Sequence, residues 1–255
     1  TAFPQGHPGA PEPPHDVNAL AKQTQNPLAS LTSVPFQFNF NTGGDLEDQT
    51  ALNLNIQPVI PFKLTDGWNV IARSIIPVNT FPGPDGTRFS GLGDMQVQLM
   101  VIPAAGGSLT WGAGPALSLP TPSSTPAETG TWAAGFSAVV VHTAGKFVLG
   151  GLVSQLWPMS DEGGAPETDL FTTQPFINYN FGSGWALSFA PVITANWDAS
   201  SGNEWTVPVG LGIVKTTVFN RRPMNIGVQY YTNVERPEGG AGHQLRLVLV
   251  LIYPR

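Results

Sequence analysis

The sequence predicts an all-β protein: an antiparallel, up-and-down transmembrane β-barrel of about twelve strands behind a proline-rich N-terminal arm. Three observations predict it. Apolar and polar residues alternate with period two from Leu31 to the C-terminus, which sends successive side chains to opposite faces of strands. Charged residues are only 11% of the 255, against about 25% in ordinary soluble domains, while 41% are hydrophobic. The connections between the alternating segments are short and long by turns, as in outer-membrane barrels.

The arm covers residues 1–30. Pro4, Pro8, Pro11, Pro13 and Pro14 exclude regular structure at its start, and Asp16 is read as the cap of a short helical turn over Val17–Gln25 that Pro27 ends. The barrel covers residues 31–255. Its strands are read near 32–41, 49–62, 68–79, 92–102, 109–119, 131–142, 147–157, 170–180, 185–197, 204–216, 224–233 and 244–253. Most are close to the 9–11 residues of a tilted membrane-spanning strand. In the first, Val34, Phe36, Phe38 and Phe40 oppose Gln37, Asn39 and Asn41. In the second, Leu52, Leu54, Ile56, Ile60 and Phe62 oppose Asn53, Asn55 and Gln57. In the last, Leu245, Leu247, Leu249, Leu251 and Tyr253 share one face.

Short connections fall at 64–67, 103–108, 143–146, 181–184 and 219–223, and long ones at 42–48, 80–91, 120–130, 158–169, 198–203 and 234–243. An even strand count puts both ends of the barrel on the short-turn side. Trp68, Trp111 and Trp185 lie beside short turns, and Trp132, Trp157, Trp197 and Trp205 beside long loops, the two heights where amphipathic rings favour a membrane boundary. Parity counting puts Trp157 on the polar face with Gln155. A soluble sandwich would also alternate, but its outward face would be rich in charge. Here the polar face is mostly Asn and Gln, and the apolar face is long and aromatic.

Several function classes are set aside. No apolar run approaches the roughly 20 residues of a spanning helix. No charged n-region with an apolar h-region opens the chain, so the Thr-Ala-Phe-Pro start reads as an already processed terminus. With no cysteine, disulfides, thiolate catalysis and cysteine-held metals are excluded. The net charge of −6 shows no basic face for a nucleic acid. His7, His15, His142 and His243 have no metal-ligand spacing, and no serine accompanies His142, so neither an enzyme nor a cofactor is expected. Gly210 and Gly212 precede no helix and read as places where a side chain must be small.

The polar face would line the barrel interior, and the candidate solute pathway is read from it. Its amides are Asn39, Asn53, Asn55, Gln57, Gln96, Gln98, Gln174, Asn178, Asn196 and Gln229. Its charges are Arg73, Asp94, Glu204 and Arg246, which form either a selectivity constriction or structural ion pairs. The amides either replace water around a passing polar solute or bond to one another and fill the lumen. The long loops carry Asp45, Glu47, Asp48, Asp85, Glu128, Asp161, Glu162, Glu167, Asp169, Glu235 and Glu238 against Arg88 and Arg236, an acidic mouth that predicts mild cation preference. Lys63, Lys146, Lys215, Arg221 and Arg222 fall on the short-turn side. An anion-selective channel would instead point to Arg73 and Arg246.

The segments 19–31 (ALAKQTQNPLASL), 54–62 (LNIQPVIPF), 91–94 (GLGD), 111–115 (WGAGP), 174–180 (QPFINYN), 193–197 (ITANW), 205–210 (WTVPVG) and 233–240 (NVERPEGG) resemble a family of bacterial outer-membrane proteins. Its members are described as transporters or as phenol-degradation (MetA-pathway) proteins, and some carry the label neuromedin U. The resemblance runs from about Ala19 to the C-terminus, although Tyr253-Pro254-Arg255 departs from the usual terminal aromatic. It implies a barrel of the bacterial outer membrane with a transport role and no catalytic residues. The expectation is a porin-like channel passing small solutes passively, with outer-membrane lipid and those solutes as its partners and no set oligomeric state. The alternative is a plugged structural or partner-binding barrel. The arm is expected to enter or cover the short-turn end of the lumen, with Leu20 on the wall and Gln23 and Gln25 at the amides, rather than to hang free as a tether.

Overall fold

The computed structural model describes residues 17–44, 49–83, 86–121, 123, 132–159, 169–220 and 222–253. They form a closed antiparallel barrel of twelve strands and one short helix, α1 (Val17–Thr24). The strands are β1 (Thr32–Thr42), β2 (Ala51–Ile56, continued by Val59–Lys63), β3 (Trp68–Pro82), β4 (Arg88–Leu92, continued by Met95–Pro103), β5 (Leu109–Leu119) and β6 (Ala133–Ala144). They continue with β7 (Phe147–Pro158), β8 (Leu170–Gly182), β9 (Trp185–Phe189, continued by Ile193–Asn196), β10 (Trp205–Phe219), β11 (Arg222–Glu235) and β12 (His243–Tyr253).

Each strand pairs with its sequence neighbours, and β1 closes the ring on β12 from Thr32↔Tyr253 to Thr42↔His243. Closure leaves no unpaired edge. Three strands break and resume: β2 at Gln57–Pro58, β4 at Gly93–Asp94 and β9 across Ala190–Val192. Pro58 and Pro191 explain two of the breaks, since neither can donate to a ladder. Two ladders run further than periodicity suggests. β3 and β4 pair through Phe81↔Phe89 and Pro82↔Arg88, which shortens the loop expected at 80–91. β10 and β11 pair out to Phe219↔Arg222.

The outward face is apolar. Leu99, Trp111, Phe136, Ile177, Leu211, Ile226 and Leu247 are all exposed, while Asn39, Gln98, Asn178, Gln229 and Arg246 on the opposite parity are buried. A water-soluble monomer rarely exposes an apolar surface of this extent. Aromatic rings gather at both rims. Trp68 packs edge-on against Trp111 at 6.2 Å by the short turns, and Trp197 against Trp205 at 5.4 Å by the long loops. Trp157 also faces outward, 47% exposed and 5.9 Å from Phe136. This corrects the parity count for β7. Gln155 pairs with Phe136 and Phe171 on the outer face, and its amide is buried there by the Trp197 ring and the Asp169 carboxylate that it bonds.

Candidate functional site

The lumen is the candidate site, and the hydrogen-bonded row that crosses it is built from β12, β1, β2, β3 and β4. Register Arg246↔Asn39↔Asn53↔Asn79 crosses four strands on the inward face. Along it, Arg246 Nε donates to Asn39 Oδ1 at 2.8 Å, Asn39 Nδ2 to Asn53 Oδ1 at 2.9 Å and Asn53 Nδ2 to Asn79 Oδ1 at 2.7 Å. Arg246 also donates to the Ala190 carbonyl at 3.0 Å, to Gln244 Oε1 at 2.9 Å and to Gln229 Oε1 at 3.5 Å, with its guanidinium 5.0 Å above the Tyr231 ring. Arg73 is held between Gln57, 2.7 Å away, and Gln98, 3.1 Å away. Every one of these acceptors is neutral. Among the described residues the single ion pair is Lys63–Asp66, in the exposed turn between β2 and β3.

Two chambers meet at this waist. The one toward the long loops, about 260 Å³, is lined by Asn39, Asn53, Asn55, Gln96 and Gln98 with Ser154, Thr172, Thr194 and Thr206. The one toward the short turns, about 210 Å³, is lined by Asn178 and Gln229 together with Val59, Phe176, Val248, Val250 and Ile252. Gln37, Gln57, Arg73, Leu152, Gln174 and Arg246 line both. Three sequence-read residues line neither. Asp94 lies in the break of β4, Asn196 at the end of β9 accepts from the Asp198 amide, and Glu204 accepts from the Gly202 amide within its own loop. The structure therefore does not bring the two acids to the two arginines.

Periodicity misses one wall of the lumen. Val59, Ile71, Met100, Val139, Val148 and Leu152 form an inward apolar cluster with Phe176. Strands β5 to β7 carry few polar side chains, and the one amide among them, Gln155 of β7, points outward, so polarity does not mark which parity points in. This hydrocarbon cluster draws on β2, β3, β4, β6, β7 and β8, so β2 to β4 carry both amides and apolar side chains inward.

The described part of the arm, residues 17–30, packs against the barrel at the short-turn end. Helix α1 buries Leu20 and Ala21, and Leu28 joins the apolar wall. Gln25 and Asn180 exchange two amide hydrogen bonds of 3.0 Å. Thr24 bonds Asn225 at 2.9 Å, and Asn18 Oδ1 accepts from the Gly184 amide at 3.2 Å. An eight-residue helix is marginal in water, so these contacts and its apolar face hold it. Asp16, His7 and His15 lie outside the described residues.

At the opposite rim, Asp169 accepts from Gln155, and its own amide donates to Asp198 at 2.7 Å. Desolvation, reinforced by the Asp198 carboxylate, raises Asp169 above the ordinary carboxylate range against the pull of the Gln155 bond. Asp45, Glu47, Asp48, Asp85, Glu128, Asp161, Glu162 and Glu167, as well as Arg221 at the other end, lie outside the described residues. His142 bonds the Ser108 carbonyl at 3.1 Å, and His243 the Tyr230 hydroxyl at 2.9 Å. An added Cβ at Gly210 or Gly212 would collide with the carbonyl of Tyr230 or Val228, which accounts for both glycines by packing.

The fold is shared with outer-membrane channels of known structure. An outer-membrane channel from Pseudomonas putida F1 is similar to it with a TM-score of 0.62, at 16% identity over 88% of this chain and 94% of that one. The NanC porin is similar with a TM-score of 0.52, at 11% identity over 88% of this chain and all of that one. No protein-family model matches the chain. No curated protein matches it in sequence.

Proposed function

We propose that the chain is a bacterial outer-membrane channel through which small solutes pass down their gradient. The observation that carries this reading is the closed barrel with an apolar exterior and a lumen of two chambers meeting at an amide-and-arginine waist. The apolar belt fits lipid, and fixed amide donors and acceptors can stand in for the water around a solute. The short-turn end, with both ends of the barrel, faces the periplasm. The arm narrows that end through its bonds to Asn180, Asn225 and Gly184.

Those same bonds favour one rival reading, a barrel plugged by its arm that serves as scaffold or partner-binding protein. Conductance across a planar bilayer separates the two. The full chain conducts if it is a channel, and deleting residues 1–25 raises the single-channel conductance if the arm narrows it. Equal conductance from a folded truncated barrel would make the arm a tether. A folded barrel that never conducts, with or without the arm, would favour the scaffold.

A further inference from the structure

The chamber on the short-turn side joins two features that no single lining residue reveals. At the waist end stand Arg73, half-buried, and Arg246, buried, both bonded only to neutral acceptors among the described residues. Among the described residues, no Asp or Glu lines either chamber. A buried guanidinium without a carboxylate is costly unless water or an anion neutralises it, and its planar fork of N–H groups matches a carboxylate. Below the waist the inward residues of β12 change character: Arg246 is followed at period two by Val248, Val250 and Ile252. Phe176 and Val59 extend that surface.

We propose that this chamber binds a small amphipathic carboxylate, with the carboxylate at Arg73 and Arg246 and the hydrocarbon body against Val248, Val250, Ile252 and Phe176. The proposal deepens the channel reading by naming the class of solute and rests on that reading for the solute's access. The size fits: a cavity of about 150 Å³ already accepts benzene, and this one is about 210 Å³. A cationic head would meet two like charges and, among the described residues, no acid. A bare inorganic anion would leave the apolar surface unused, where each buried methylene raises affinity about fourfold.

The test is calorimetric titration of the full chain in lipid nanodiscs, with empty nanodiscs as the reference. The probes are hexanoate, 1-hexanol, hexylammonium and acetate. Hexanoate should bind saturably, at least tenfold tighter than 1-hexanol and than acetate, with no saturable hexylammonium binding. Arg73→Gln should weaken hexanoate at least tenfold and leave 1-hexanol unchanged. If that variant does not fold, the four probes on the unaltered chain decide alone. Equal affinity for hexanoate and 1-hexanol would overturn the role of the arginines. Equal affinity for hexanoate and acetate would overturn that of the apolar wall, and no saturable hexanoate signal would overturn the whole proposal. Binding is read without conductance, so the two failures stay distinct. A conducting barrel that ignores hexanoate sinks only this proposal, and a silent barrel that binds it sinks only the channel.

Discussion

Arg246 shows what a single residue costs and contributes in this lumen. Its guanidinium is buried, and acceptors on β1, β11, β12 and the break in β9 surround it. Hydrogen bonds to a charged group contribute about 1.5–3 kcal/mol each, so the cage offsets part of the desolvation of the cation. It does not neutralise the charge. The rim carries the opposite case in Asp169, where burial and the neighbouring Asp198 raise the acid above its ordinary range. In the window between its unfolded and folded values the folded state holds more protons. Stability therefore falls as pH rises through that window and is regained as pH falls. Trp197 Nε1 donates to the same Gln155 that bonds Asp169, so its ring reports the change. Tryptophan emission should titrate above the ordinary carboxylate range, and Asp169→Asn should abolish that transition. A titration unchanged in Asp169→Asn would assign it to another group.

Helix α1 and the β8–β9 hairpin act as one element pair. Ser183 and Gly184 both have positive φ, 51° and 77°, as a two-residue type I′ turn requires. Gly184 also donates to Asn18, and a Cβ on it would press on Val17 Cγ1 and on the Thr216 carbonyl. Gly184→Ala should therefore cost about 1–2 kcal/mol from the left-handed backbone and push the helix off its seat. Protease sensitivity near Val17 should rise while the barrel itself stays folded. A substituted arm as resistant as the original would show that this contact does not hold it. The helix was legible in the sequence from its length before Pro27, and the amide at Gln25 from its spacing. Its partner Asn180, 155 positions away, was not, because no local pattern says which wall position faces the arm.

At the scale of the whole molecule, the acids in the long-loop sequences and the two lumen arginines would pull the ion selectivity of a conducting barrel in opposite directions. Exposed loop charges are screened, over about 10 Å at 0.1 M salt and about 3 Å at 1 M. Enclosed guanidiniums at a constriction are screened far less and act where an ion must pass. A conducting barrel should therefore show an anion-selective reversal potential under a KCl gradient, and that sign should persist at 1 M salt. A cation-selective potential would place control in the loops. Much of this frame was readable from alternation: the strand count, the inward parity of Asn39, Gln98 and Gln229, and the aromatic rims. Gln155 was assigned to the wrong face because an amide on the outer wall is buried by a ring and a carboxylate from elsewhere in the chain.

Alternation along the chain carries the all-β architecture, the number of strands and the face on which most amides fall, because a side-chain period of two is a local property of extended backbone. Barrel closure, and no local pattern, sets Arg73 and Arg246 at one waist without Asp94 or Glu204 lining it. It also gathers the inward apolar cluster and brings Gln25 to Asn180. Those facts depend on how twelve strands close and on register summed around the ring, and neither the sign of a charge nor its parity carries that information.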